Sequence, residues 1–85
     1  MIPMVQVAEP LPDHRLKLTF DTGEVRIFDV TPYLDKGVFR ALQSEALFNQ
    51  VEVVAGSVEW PGEIDLSHDT LFLRSHALAD EAVAG

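Results

Sequence analysis

Residues Arg15-Leu16-Lys17-Leu18-Thr19-Phe20-Asp21-Thr22-Gly23-Glu24-Val25-Arg26-Ile27-Phe28 carry the strongest structural signal in the chain. Apolar and polar residues alternate on either side of Asp21-Thr22-Gly23. A period of two sends successive side chains to opposite faces, so each run reads as a half-buried antiparallel strand. Leu16, Leu18 and Phe20 share one face, with Arg15, Lys17 and Thr19 on the other. In the second run Val25 and Ile27 lie together, and Phe28 is expected to cover an end of the sheet. Gly23 can take positive φ without a Cβ clash and Asp21 can accept a bond from nearby backbone, so the triplet is a tight turn. The hairpin brings Arg15 and Lys17 across from Arg26 and Glu24, in a register left open.

Upstream, Met4-Val5-Gln6-Val7-Ala8 reads as a further strand, and Pro10-Leu11-Pro12-Asp13-His14 as a connection. Downstream the period changes. Thr31 and Pro32 suit a helix start, Gly37 interrupts it, Val38-Phe39-Arg40-Ala41-Leu42 is a second short piece, and Ser44 caps a third turn. Strand character returns at Val51–Val54. Ser57-Val58-Glu59-Trp60 leads away after Ala55-Gly56, and Ile64-Asp65-Leu66 is short. Ser67-His68-Asp69 reads as a turn and Thr70-Leu71-Phe72-Leu73 closes the fold. The expected class is α+β: a small antiparallel sheet built from hairpins, packed against short broken helices. One domain occupies 1–76, and 77–85 forms a tail or short helix.

Composition bounds the chemistry. Hydrophobic residues make up 47% of the 85 residues, which is a folding composition. No cysteine is present, which removes disulfides, thiol nucleophiles and thiolate metal sites. No apolar run nears the ~20 residues of a membrane span, and Met1-Ile2-Pro3-Met4 lacks the features of a signal peptide, so the expectation is a cytoplasmic protein. Fourteen acids face six basic residues, a formal charge of -8. Arg15, Lys17, Arg26, Lys36, Arg40 and Arg74 are dispersed, whereas direct nucleic-acid binding needs a concentrated positive footprint.

A family resemblance rests on Leu18-x-Phe20-x-x-Gly23-Glu24-x-x-x-Phe28-Asp29, Val38-Phe39-x-x-Leu42, Phe48, Val58-x-Trp60 and Ile64-Asp65-Leu66-x-x-Asp69-x-Leu71. In this order and spacing they resemble the bacterial domain of unknown function DUF2442, over roughly Val5 to Leu73. The resemblance implies a small α+β domain without established catalytic residues. It implies further that some members carry a helix-turn-helix region after this domain, and that partners are often small proteins of toxin–antitoxin character. Within these 85 residues no such DNA-reading module is expected. Asp29, Trp60, Asp65 and Asp69 match recurrent positions, with interaction or structural roles expected of them.

Several motifs invite chemistry. Asp21-Thr22-Gly23 resembles the catalytic triplet of aspartic proteases, in which two carboxylates share a proton. That class continues with an apolar strand and a small hydroxyl residue, whereas Glu24 and Val25 continue a hairpin. Asp65, Ser67 and Asp69 alternate as the first ligands of a calcium loop do, but Thr70 and His76 stand where that loop needs Gly and Glu. A turn in which Asp65 or Asp69 accepts backbone N–H bonds accounts for them. His14, His68 and His76 show no zinc spacing and read as scattered surface residues. No nucleophile elbow or phosphate loop occurs. Trp60 anchors either a core or a contact surface, and Asp29 bonds neighbouring backbone before the helix.

The expected function is that of a non-enzymatic interaction domain without cofactor or metal, the acidic antitoxin-like partner of a small basic protein. A homodimer is expected from small size and sheet edges that need covering. Two alternatives stand beside it: a small carboxylate-based or metal-dependent hydrolase, and a transcription-linked regulatory domain lacking its DNA-binding module.

Overall fold

The Arg15–Phe28 hairpin forms in the computed structural model, which describes residues 1–78. Strands β1 (Val5–Leu11), β2 (Arg15–Phe20) and β3 (Val25–Asp29) are consecutive antiparallel neighbours. Leu16, Leu18 and Phe20 are fully buried. Gly23 sits at φ +87° and its N–H donates to the Phe20 carbonyl at 2.9 Å. Within the turn the hydroxyl of Thr22, not Asp21, accepts from the Glu24 N–H at 3.3 Å. The Asp21 carboxylate reaches outside the turn and accepts from the Met4 N–H at 3.3 Å.

The register departs from the expected charge pairing. Arg15 lies opposite Asp29, Lys17 opposite Ile27 and Arg26 opposite Leu18. Directly opposed residues share a face, so Phe28, opposite Leu16, joins the main core rather than covering an edge. Arg26 takes its place on that inner face because its guanidinium is satisfied there. Its Nε donates to Ser75 Oγ at 2.6 Å and its Nη2 to Ser75 O at 2.6 Å. The guanidinium carbon lies 4.8 Å from the Phe72 ring centroid, a cation–π contact.

Strand β1 continues through Pro10 and Leu11, which the sequence reading assigned to a connection. The sheet order is β1-β2-β3-β7, with β7 the two-residue strand His76–Ala77, so β1 is an edge strand, where proline's missing donor is tolerated. The turn is confined to Pro12–His14, with Asp13 and His14 both at positive φ.

Past β3 the helical layer is broken as the sequence implies. Two 3₁₀ segments, Thr31–Tyr33 and Gly37–Gln43, precede helix α1 (Glu45–Phe48). Ser44 Oγ accepts from the Leu47 N–H at 3.3 Å and caps α1. Thr31 does not act as a cap; its N–H donates to Asp29 Oδ1 at 3.0 Å.

Strands β4 (Glu52–Val54), β5 (Ser57–Trp60) and β6 (Ile64–Leu66) form a second, separate antiparallel sheet. Ser57–Trp60 therefore folds back on β4 rather than leading away. Ala55 at φ +51° and Gly56 at φ +84° make the tight hairpin connection. The expected turn at Ser67–Asp69 and closing run Thr70–Leu73 are instead the start and body of helix α2 (His68–Leu73). The closing strand is β7 (His76–Ala77), paired with β3. One core joins both sheets and the helices, with Phe20, Phe28, Phe48, Val58, Trp60 and Leu71 among its buried members. Of the expected helix over 77–85, residues 79–85 lie outside the described residues.

Candidate functional site

Alternation along β5 buries Val58 and Trp60 and turns Ser57 and Glu59 outward. The register then sets Glu52 of β4 opposite Glu59, and Glu59 opposite Asp65 of β6. All three are exposed. Directly opposed Cβ atoms in an antiparallel pair are ~4.5–5.5 Å apart, and like charges there oppose pairing. The outer face of the second sheet therefore carries a row of three carboxylates, one from each strand. Among the described residues none of the three has a hydrogen-bond or ion-pair partner for its side chain.

The four-stranded sheet shows the contrary pattern. Glu9 stands opposite Lys17, and Arg15 opposite Asp29. Charges alternate in sign there, as cross-strand energetics favour. Residues 41–73 contain six acids and no lysine or arginine, so the second sheet has no local cation to interleave. The result is a one-sign face that attracts cationic groups at a distance set by salt.

The four positions singled out in the sequence fall in different places. Asp29 ends β3, and its Oδ1 holds the Thr31 N–H. Trp60 is a core residue at 3% exposure, its ring stacked on Phe48 with centroids 6.0 Å apart. Asp65 belongs to the carboxylate row. Asp69 lies in the first turn of α2, where its Oδ1 accepts from the Ser67 hydroxyl and from the Thr70 N–H. The Ser67 hydroxyl foremost, then the Thr70 N–H, hold the Asp69 carboxyl below its ordinary value.

Asp65, Ser67 and Asp69 do not form a loop, because β6 ends at Leu66 and α2 begins at His68. Among the described residues no three His, Asp or Glu side chains are grouped so that they could hold a metal ion. The histidines are half-buried rather than on the surface. His14 meets Phe48 edge-on at 5.0 Å, and its Nε2 is buried without a hydrogen-bond partner.

A family model described as "Protein of unknown function (DUF2442)" matches residues 5–77. The chain belongs to this family. Comparison with curated proteins gives no match. Comparison with solved structures gives none either. In this DUF2442 domain the residues that sequence reasoning passed over are Glu52 and Glu59. Neither sits in a motif; the run of acids over 41–73 without an intervening Lys or Arg was the available signal. No helix among the described residues is long and apolar enough to cross a membrane.

Proposed function

We propose that this DUF2442 domain is a non-enzymatic interaction module that docks a small basic protein on the outer face of its three-stranded sheet, in the manner of an acidic antitoxin-like partner. The observation that carries this reading is the Glu52–Glu59–Asp65 row. Opposed like charges cost stability, and a sequence under no other demand would alternate signs, as the first sheet does. A basic partner supplies the missing cations. Its Lys and Arg side chains steer the encounter and fix register, while apolar contacts around them supply most of the affinity.

The experiment is affinity capture of the domain at native expression, with mass spectrometry of what is retained. Wild type runs beside a variant carrying Glu52→Gln, Glu59→Gln and Asp65→Asn. A basic protein recovered with wild type and lost with the triple variant supports the proposal. Equal recovery with both, or recovery of nothing basic with either, overturns it.

A further inference from the structure

Among the described residues, His14 Nε2 is the side-chain nitrogen or oxygen buried without a hydrogen-bond partner. Native structures leave few such atoms, so each calls for a physical reason. The backbone sets this ring in place at a cost. Asp13 and His14 are consecutive left-handed residues, at φ +65° and +56°, a conformation that crowds any Cβ. The turn is pinned from the end of β3, where the Val30 N–H donates to His14 O at 2.9 Å. The ring then meets Phe48 of α1, with centroids 5.0 Å apart.

A neutral imidazole carries one N–H and one bare nitrogen. The face of a phenyl ring is negative, so it attracts an N–H and repels a lone pair. Burial against Phe48 therefore favours the proton on Nε2 and leaves Nδ1 bare. Nδ1 is not enclosed, and it has no partner among the described residues.

A cavity of about 320 Å³ opens between this turn and α1, lined by Pro10, Leu11, Pro12, His14, Glu45, Phe48 and Asn49. That is the small end of the range of about 300–1,000 Å³ for ligand sites. Besides the imidazole, its polar side chains are Glu45 and Asn49, and neither has a partner among the described residues. No Lys, Arg or chain terminus lines it among the described residues. Arg15 stays outside, its Nε donating to Pro12 O at 3.3 Å. The remaining side chains of the wall are apolar.

We propose that this cavity binds a guanidinium group on a short apolar stem. The guanidinium donates to the Glu45 carboxylate, to His14 Nδ1 and to the Asn49 amide oxygen, and the stem lies along Pro10, Leu11 and Pro12. Five N–H donors in a planar fork serve several acceptors at once. A guanidinium is also less hydrated than an ammonium, so it enters a partly apolar cavity at lower cost. A free small guanidine and the side chain of an arginine in a peptide present the same group.

The test is NMR of the isotopically labelled full chain at about pH 8, above the ordinary imidazole range. Ring nitrogen shifts are expected to show His14 protonated at Nε2 and bare at Nδ1; the opposite tautomer overturns the proposal. Titration then compares n-propylguanidinium, n-propylammonium, n-propylurea and a blocked glycine–arginine–glycine peptide. Saturable shifts centred on the His14 ring and the Glu45 and Asn49 amides are expected with n-propylguanidinium. Binding about five-fold weaker is expected with n-propylammonium, and none with n-propylurea. Saturation by the peptide assigns the site to an arginine side chain, and saturation by n-propylguanidinium alone assigns it to a free guanidine. Glu45→Gln weakens n-propylguanidinium binding about five-fold. Equal binding of n-propylammonium or n-propylurea, no saturable shift with any probe, or n-propylguanidinium shifts centred on Glu52, Glu59 and Asp65 overturns the proposal. The tautomer and the comparison of probes are read on wild type, so they stand even where a variant disturbs α1.

Discussion

Trp60 donates its indole Nε1 proton to the carbonyl oxygen of Phe48 across 2.8 Å, inside the core. Phe48 is the last residue of α1, a position whose carbonyl has no partner within the helix. The bond therefore satisfies two groups that burial would otherwise strand, and it fastens the second sheet to the helical layer. Trp60→Phe keeps most of the ring and removes the donor. It is expected to lose about 1–3 kcal/mol of stability in urea unfolding, the cost of a stranded buried acceptor. Trp60→Ala adds a cavity and should lose about 3–5 kcal/mol. Unfolding of the Phe variant at the wild-type midpoint would show that the bond adds nothing.

Gly56 joins the two sheets at their other contact. Its carbonyl accepts from the Val5 N–H at 2.8 Å, and its φ is +84°. Gly56→Ala combines backbone strain with a clash against Met4, and a loss of about 1–3 kcal/mol follows. Gly37 is the control: φ is +49° with no atom within 4 Å of an added Cβ. Gly37→Ala should cost about 1 kcal/mol, from strain alone. Equal midpoints for the two variants in thermal unfolding would remove the Met4 contact from the account.

Asp69 links stability to acid. Its folded-state carboxyl is held below the ordinary value, while in the unfolded chain it returns to about 3.9. A depressed acid contributes stability above the unfolded value and loses it as pH falls through the folded one. The difference in stability between wild type and Asp69→Asn should therefore be present at about pH 7 and shrink steadily below about pH 3.9. Urea unfolding across that window measures it. A difference independent of pH would assign the effect of the substitution to something other than the carboxylate.

The hairpin was legible because Leu16, Leu18 and Phe20 alternate without exception and Gly23 marks the turn. Phe28 and Arg26 were misread for one physical reason. A charged residue on an inner face breaks the apolar pattern, and the partners that make it tolerable, Ser75 and Phe72, are nearly fifty residues away. Helix α2 was hidden because Thr70-Leu71-Phe72-Leu73 is too short to show a helical period and is rich in residues that suit strands. The carboxylate row was invisible for a different reason. It exists only through register, since Glu52, Glu59 and Asp65 stand at unremarkable spacings in the chain. Asp65 was singled out for its place in the family resemblance, without the two neighbours that give its position meaning.

Glu59 stands between the other two carboxylates, so Glu59→Gln removes both opposed pairs at once. The variant is expected to gain roughly 0.5–1 kcal/mol in urea unfolding, the size of a cross-strand charge term. Glu9→Gln, which takes the charge opposite Lys17, should gain nothing or lose slightly. A loss of stability in Glu59→Gln would mean that the row is not repulsive and costs the fold nothing.

On the proposed function, the outer face of the three-stranded sheet is where a basic protein docks. Amide NMR of the labelled domain, titrated with the basic protein recovered by capture, tests it most directly. Shifts are expected to centre on Glu52, Glu59 and Asp65 and to fade as salt rises. Shifts centred on Arg15 and Lys17 of the four-stranded sheet, with the carboxylate row unchanged, would contradict it.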